Sequence, residues 1–146
     1  WNYEEAFRQA QNQYPGRFAA HMMYSPNLST AIYGGADLFL MPSISEPCGL
    51  SQMIAMRYGT IPVVRETGGL RDSVVPYNKF TGEGTGFSFA NINVQEMTGV
   101  LSEAVNLYHN EPKAWKALQK NAMTADFSWE KSAKAYEEIY GWVTGK

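Results

Sequence analysis

Apolar and polar positions follow one another in blocks that predict short strands, each followed by a helix. Two apolar runs, Asp37 to Met41 and Ile61 to Val64, have the length of buried strands. Each run is followed by a glycine-containing loop that opens a predicted helix. After the first loop, apolar residues recur at helical spacing from Gly49 until Gly59, a residue type that commonly ends helices.

The rest of the chain continues the pattern. It predicts a helix over 3–14, a buried strand over 18–24, a helix over 27–33 capped by Asn27, an exposed loop over 76–86, and a short strand over 86–90. Three amphipathic helices follow, and their starts are marked by Asn93 with Glu96, by Glu111-Pro112, and by Ser128, whose helix has an apolar face from Ala133 to Val143. This order predicts an α/β fold, a Rossmann-like parallel sheet with helices on both faces.

About four strands are visible, fewer than the roughly six of a doubly wound domain. We therefore expect residues 1–146 to form a single domain and to be a fragment whose first strands precede Trp1.

Composition narrows the functional classes. The chain has 146 residues, of which 45% are hydrophobic and 18% charged, as in ordinary globular domains. A net charge of −2 gives no basic footprint for nucleic acid, and no apolar run approaches the ~20 residues needed to cross a membrane. The lone Cys48 cannot form an internal disulfide and fits a reducing compartment, so we expect a cytoplasmic protein. No set of His, Cys, Asp and Glu has the spacing of metal ligands.

Candidate chemistry lies in the two loops that follow the first two predicted strands. Ligands of open α/β sheets bind beyond the carboxyl ends of the strands, where helix amino termini offer unpaired amides and partial positive charge. We expect Gly49, Gly68 and Gly69 to let the backbone approach a ligand, with Ser51 and Thr67 adding hydroxyl donors. Both loops are thus predicted to receive an anion.

Glu46 does not fit an anion site, because a carboxylate repels an anion. It is better suited to accept hydrogen bonds from sugar hydroxyls or to stabilise positive charge, and the combination suits a nucleotide sugar. Three structural or chemical alternatives stay open: Glu46 caps the next helix, residues 67–69 form only a tight turn, or Cys48 is a nucleophile paired with His21 or His109.

Ser43 to Gln52, with Tyr58-Gly59-Thr60 and Arg65 to Val74, resembles the carboxyl-terminal domain of bacterial glycogen synthases and plant starch synthases, which are retaining GT-B glycosyltransferases. The similarity runs from about Tyr3 to Trp129. It implies transfer of glucose from ADP-glucose or UDP-glucose to the non-reducing 4-hydroxyl of an α-1,4-glucan. It also implies an N-terminal GT-B domain in the same protein, no cofactor, and a plastid location if the source is a plant. The fragment alone should be inactive.

The resemblance assigns roles to eight residues. Glu46 would lie against the donor glucose and be needed for turnover, the amides of Cys48 and Gly49 would hold its hydroxyls, Leu50 and Ser51 would lie by the ribose and phosphates, Tyr24 would stack on the base, and Thr67 and Gly68 would help to seat the distal phosphate. One departure is that relatives usually have Arg-Phe where this chain has Ile44-Ser45.

The residue inventory favours transfer over hydrolysis. Glycoside hydrolysis needs two placed carboxyl groups, whereas a nucleoside diphosphate leaves as a stable anion that amides and cations can neutralise. The second glutamate of the wider transferase class is absent, since Ile54 occupies its place, which favours the synthase subgroup. The alternatives are another retaining GT-B glycosyltransferase and a non-catalytic glucan-binding module.

Overall fold

The computed structural model describes residues 2–145, so Trp1 and Lys146 of the predicted domain lie outside the described residues. In chain order the elements are α1 (Asn2–Gln13), α2 (Pro26–Gly35), β1 (Leu38–Met41), α3 (Ser51–Tyr58), β2 (Ile61–Arg65), α4 (Gly68–Ser73), β3 (Phe87–Phe89), α5 (Val94–Asn110), α6 (Pro112–Thr124) and α7 (Trp129–Thr144). The chain divides into two compact units, and the division falls inside α2, between Thr30 and Ala31. The single domain stays a prediction.

The three strands form one parallel sheet in the order β1-β2-β3. Leu38 lies beside Ile61, and Val63 lies beside Phe87. The central strand β2 is buried from Ile61 to Val64, whereas β1 is only partly buried. The predicted parallel α/β fold with flanking helices is confirmed. Because the strands run the same way, the loops after β1, β2 and β3 lie at one edge of the sheet.

The hydrophobic core fills the space between the sheet and helices α3, α4, α5 and α6. Its buried members are Met56, Ile61, Val63, Val64, Leu70, Val74, Phe87, Phe89, Ala104, Leu107, Trp115, Leu118 and Ala122. The rings of Tyr108 and Trp115 meet edge to face, with 5.2 Å between their centroids. This apolar cluster supports the strand ends from which the candidate loops emerge.

The carboxyl end of α3 is fastened to α6. Gly59 ends α3 in the left-handed conformation, with φ of 80°. Its carbonyl oxygen accepts a hydrogen bond of 2.8 Å from Nε2 of Gln119, and Nη1 of Arg57 donates to the carbonyl oxygen of Met123 at 3.3 Å. The helix end therefore finds partners far away in the sequence.

A buried hydroxyl joins the end of α2 to the start of β2. Thr60 is 1% exposed, and its Oγ1 lies 2.6 Å from the carbonyl oxygen of Tyr33 and 2.8 Å from that of Ala36. One hydroxyl proton serves both acceptors. Composition and periodicity gave no signal for this contact, because the partners are far apart in the chain.

The predicted strand over 18–24 is wrong. These residues have no regular secondary structure and none is buried. In this first unit Phe18 stacks on Phe7 with ring centroids 5.9 Å apart, and the amide of Ala20 donates to Oε1 of Gln11 at 2.7 Å. An apolar run satisfies the composition of a strand, but an isolated strand without a hydrogen-bonded neighbour is not stable.

The helix predictions are confirmed, with two differences. Helix α2 begins at Pro26 rather than Asn27, because Oγ of Ser25 accepts a hydrogen bond of 3.4 Å from the amide of Leu28. Helix α7 begins after the predicted cap Ser128, but it buries no residue, so its predicted apolar face is exposed. Across residues 2–145, we find no helix with the length and apolar character to span a membrane.

Candidate functional site

The two loops predicted to form a site are in contact. The first loop comprises residues 42–50, between β1 and α3, and the second comprises residues 66–69, which follow β2 and open α4. The amide of Gly69 donates a hydrogen bond of 3.1 Å to the carbonyl oxygen of Glu46. This bond brings Glu46, Cys48 and Gly49 of one loop next to Thr67 and Gly68 of the other.

The glycines of these loops have a different role from the one expected. A Cβ at Gly68 would overlap the carbonyl oxygen of Glu46, and a Cβ at Gly69 would overlap that of Cys48. Gly49 has φ of 71°, and a Cβ there would lie 2.6 Å from Oε1 of Gln52. We expected these glycines to make room for a ligand. That reason is wrong, because the protein itself occupies the space that their Cβ atoms would fill.

The first loop presents unpaired amides, as predicted. Within residues 2–145, no group accepts a hydrogen bond from the amides of Gly49, Leu50 or Ser51, and Leu50, the N-cap of α3, has no side-chain cap bond. Gly49 and Ser51 are partly buried, whereas Leu50 is 64% exposed. The amides lie at the positive end of a helix of 8 residues.

The second loop offers fewer donors than predicted. The loop amides at Thr67 and Gly69 donate to the carbonyl oxygens of Arg65 and Glu46, and the amide of Leu70, the next residue, donates to that of Thr67. Helix α4 has only 6 residues, which limits its dipole. The amide of Gly68 has no acceptor among the described residues, and the Thr67 side chain makes no cap bond. The tight-turn interpretation therefore accounts for most of this loop's polar groups.

The Glu46 carboxylate is available for chemistry. Glu46 is partly exposed, and no donor among the described residues makes a hydrogen bond to its carboxylate. The alternative that Glu46 caps α3 is wrong, because that helix has Leu50 as its N-cap and no side-chain cap. A carboxylate at the rim of a group of amides can face a neutral, hydroxyl-rich part of a ligand while the amides face an anionic part.

A buried amide side chain that the sequence interpretation missed links the two loops. Gln52 is fully buried, and its Nε2 lies 2.7 Å from the carbonyl oxygen of Gly49, 3.3 Å from that of Cys48 and 2.9 Å from Oγ of Ser73. Oγ of Ser73 in turn donates to the carbonyl oxygen of Gly69 at 2.6 Å. The available signal in the sequence was a polar glutamine within a predicted helix, at a position whose neighbours are buried, because a buried polar side chain needs hydrogen-bond partners.

Arg65 anchors the first loop from the end of β2. Its Nη1 donates to the carbonyl oxygens of Ile44 at 2.8 Å and of Ser43 at 3.3 Å. Ile44 is 79% exposed, and the anchor uses backbone oxygens, so the replacement of the usual Arg-Phe by Ile44-Ser45 leaves it in place.

No histidine among the described residues hydrogen-bonds Sγ of Cys48, so the alternative of a Cys48 nucleophile paired with His21 or His109 gains no support. Sγ of exposed Cys48 has its hydrogen bond to the carbonyl oxygen of Gly49, at 3.9 Å. His109 lies at the end of α5 against the ring of Tyr108.

Tyr24, the residue predicted to stack on a base, belongs to the first unit and is 94% exposed. Residues 2–145 contain no group of three His, Cys, Asp or Glu side chains that could hold a metal ion.

The first turn of α5 holds a carboxylate with a shifted pKa. The amide and side chain of Asn91 donate to Glu96 at 2.9 and 2.7 Å, and Nδ2 of Asn93 donates at 3.2 Å. The backbone bond from Asn91 is the largest cause that lowers the pKa of Glu96. The amide of Glu96 donates back to Oδ1 of Asn93 at 2.8 Å, so the predicted capping pair is confirmed, with Asn91 as an additional partner.

Adjacent loops at the carboxyl ends of parallel strands, one of them carrying free amides and a free carboxylate, form the arrangement at which open α/β domains bind ligands. The chain belongs to the family of glycosyl transferases group 1, whose model matches residues 19–124.

Individual relatives narrow the comparison. Over 138 residues the chain is 51% identical to the glycogen synthase of Lachnospira eligens and 53% identical to that of Fusobacterium nucleatum, covering 94% of this chain in each case. It spans only 29% and 30% of those two proteins. The catalytic domain of starch synthase IV from Arabidopsis thaliana, bound to ADP and acarbose, matches with a TM-score of 0.80 and 39% identity, over 97% of this chain and 30% of that one.

Proposed function

We propose that this chain is the donor-binding, carboxyl-terminal part of a glycogen or starch synthase. The full-length protein would transfer glucose from ADP-glucose or UDP-glucose to the non-reducing 4-hydroxyl of an α-1,4-glucan, with retention. The glycogen synthases of similar sequence support this reaction, and the ADP in the starch synthase IV structure supports a nucleotide donor.

The first loop is the observation that carries the proposal. The loop carries free amides at Gly49, Leu50 and Ser51 and the free carboxylate of Glu46, and the adjoining loop adds the amide of Gly68. Amides suit the phosphates of a nucleotide sugar, and a carboxylate suits its hexose. We assign donor binding to these residues together with Cys48 and Thr67, and base stacking to Tyr24.

The residues can perform the transfer by charge stabilisation. As the bond from glucose to diphosphate breaks, negative charge grows on the leaving group and positive charge grows on the sugar. Backbone amides that are already oriented stabilise the first without reorganising, and the carboxylate of Glu46 stabilises the second. No general acid is required for the leaving group, because a nucleoside diphosphate is a stable anion. The oxygen of the acceptor 4-hydroxyl forms the new bond to the glucose, and its proton passes to the departing diphosphate.

The remainder of the full-length protein is proposed to supply the acceptor surface. Helix α7 exposes Trp129, Tyr136, Tyr140 and Trp142. Apolar patches of this kind mark interaction surfaces, and we propose that an N-terminal GT-B domain covers this one. We further propose a cytoplasmic location, consistent with a free cysteine, and no cofactor, since the nucleotide sugar is a substrate.

Labelled glucose transfer by the full-length protein tests the proposal. Purified protein is incubated with ADP-glucose or UDP-glucose and glycogen, and label in the polymer is counted. Glu46→Gln should lower kcat by at least about 100-fold with an unchanged melting temperature, because it removes the charge but keeps the shape. Glu103→Gln, at an exposed position on α5, is the matched control and should leave transfer unchanged.

Each alternative has its own outcome. Transfer of a different sugar, with none from either glucose donor, would assign the protein to another retaining transferase. Binding of glycogen by a folded full-length protein without any transfer would identify a glucan-binding module. Full activity in Glu46→Gln would contradict the role of the carboxylate while leaving the reaction itself intact.

A further inference from the structure

We propose that Gln52 and Ser73 are positioning residues that orient the free amides of the first loop and hold the two loops in register. This inference rests on the proposed function, because it assigns those amides to the nucleotide-sugar donor. It concerns side chains behind the site rather than groups that touch a ligand. Both belong to helices, α3 and α4, that begin at the two loops.

The geometry of Gln52 accounts for the direction in which the amides point. In a trans peptide the carbonyl oxygen and the next amide hydrogen point to opposite sides. The buried Nε2 of Gln52 is 2.7 Å from the carbonyl oxygen of Gly49 and 3.3 Å from that of Cys48. Holding these two oxygens on the buried side turns the amides of Leu50 and Gly49 to the opposite side, where no described residue accepts their hydrogen bonds.

Ser73 extends the contact to the second loop. Its Oγ accepts from Nε2 of Gln52 at 2.9 Å and donates to the carbonyl oxygen of Gly69 at 2.6 Å. The hydrogen bonds therefore run from the carbonyl of Gly49, through two side chains, to the carbonyl of Gly69. A second, backbone connection joins the amide of Gly69 to the carbonyl of Glu46.

The side-chain amide can adopt only one orientation here. Its surroundings are carbonyl oxygens and a hydroxyl, so the NH₂ group must face them. Oε1 is then buried without a partner among the described residues. An apolar side chain of similar size would avoid the cost of the unpaired Oε1. The contacts of Gln52 with the two loops therefore explain a glutamine at this position better than a contribution to folding stability does.

Ser73→Ala in the full-length protein is the cleanest test, because it removes one oxygen atom and leaves Glu46 and the first loop unchanged. We expect kcat/KM for the sugar nucleotide to fall about tenfold, with the KM for glycogen unchanged. Ser73→Thr keeps the hydroxyl and should restore most of the loss. Gln52→Met should have a larger effect, and combining it with Ser73→Ala should add little, because both remove one connection.

Ser102→Ala is the matched control. Its Oγ donates to the carbonyl oxygen four residues earlier in α5, at 2.7 Å, as Ser73 does in α4. Ser102 has no second partner among the described residues, so its replacement should change neither rate nor loop dynamics. Equal effects of the two replacements on kcat/KM would overturn the inference and reduce Ser73 to a helix residue.

Hydrogen exchange separates this inference from the proposed function. Peptides covering 66–74, which include the Gly69 amide bonded to the carbonyl oxygen of Glu46, should exchange faster in Ser73→Ala than in wild type or Ser102→Ala, measured by mass spectrometry on the full-length protein without ligand. If the wild type transfers no glucose but this difference is present, the proposed function fails and the positioning stands. If it transfers glucose and the difference is absent, the positioning is overturned and the function stands.

Discussion

The backbone of Gly69 lies directly against the carbonyl oxygen of Cys48, leaving no room for a Cβ between them. This contact fixes how the two loops of the candidate site approach one another. It also explains a motif that reads as ligand-binding glycines in the sequence. The first consequence of a larger side chain at this position is a change in protein packing, before any ligand is considered.

Gly69→Ala should therefore destabilise the protein by at least about 2 kcal/mol, through overlap with backbone that cannot move freely. Chemical unfolding in urea measures the effect. Gly99→Ala is the control, because Gly99 lies inside α5 and a Cβ there meets no atom within 4 Å. It should stabilise by about 0.5–1 kcal/mol through helix propensity. A tolerated alanine at 69 would show that the loops can separate.

Arg65→Lys tests the anchor of the first loop. The guanidinium donates to two carbonyl oxygens, and a lysine would lose its fixed planar geometry. We expect a loss of stability of about 1–2 kcal/mol and slower glucose transfer by the full-length protein. Arg71→Lys, at an exposed position on α4, should change neither. If Arg65→Lys alters neither quantity, the anchor does not hold the loop.

Thr60→Val tests the buried hydroxyl. The change keeps the branched shape but leaves the carbonyl oxygens of Tyr33 and Ala36 without this donor, which should cost about 1–3 kcal/mol. Thr98→Val removes a hydroxyl at an exposed position, bonded only within α5, and should cost less than about 0.5 kcal/mol. Thermal unfolding of both variants decides between them, and equal melting temperatures would contradict the role of Thr60.

Glu96 predicts a pH dependence of stability at the start of α5. Hydrogen bonds from Asn91 lower its pKa in the folded state, so the ionised form favours folding. This contribution is present above the ordinary glutamate pKa and is lost as the pH falls through the lowered folded-state value. Glu96→Gln should therefore flatten the acid limb of the stability curve, measured by urea unfolding across pH. An unchanged acid limb would show that Glu96 is not responsible.

Local sequence patterns predicted most of the fold, because the residues that mark each helix or strand lie within a few positions of one another. The strand from Ile61 to Val64, the glycine that ends α3, and the caps Asn93 and Ser128 are all confirmed. The strand over 18–24 failed because a strand depends on a neighbour that composition does not specify. The same limit applies to α7, whose apolar face has no buried residue.

The site was predictable in its location but not in its internal connections. The motif around Glu46 and Gly49 indicated a loop that opens a helix, and the structure has it there. The bonds from Gln52 to Ser73 and from Arg65 to Ile44 join positions 21 residues apart in each case, beyond any helical or strand period. Such pairs follow from how neighbouring strand ends come together, which a single sequence does not reveal.

The bonds from α6 to the end of α3 set a practical lower limit on how far the chain can be shortened. A truncation that removes Gln119 or Met123 removes the hydrogen-bond partners of Gly59 and Arg57 and exposes one side of the hydrophobic core to solvent. Trimming after Thr124 spares both. Shorter pieces made for expression should accordingly keep the chain as far as Thr124, the last residue of α6.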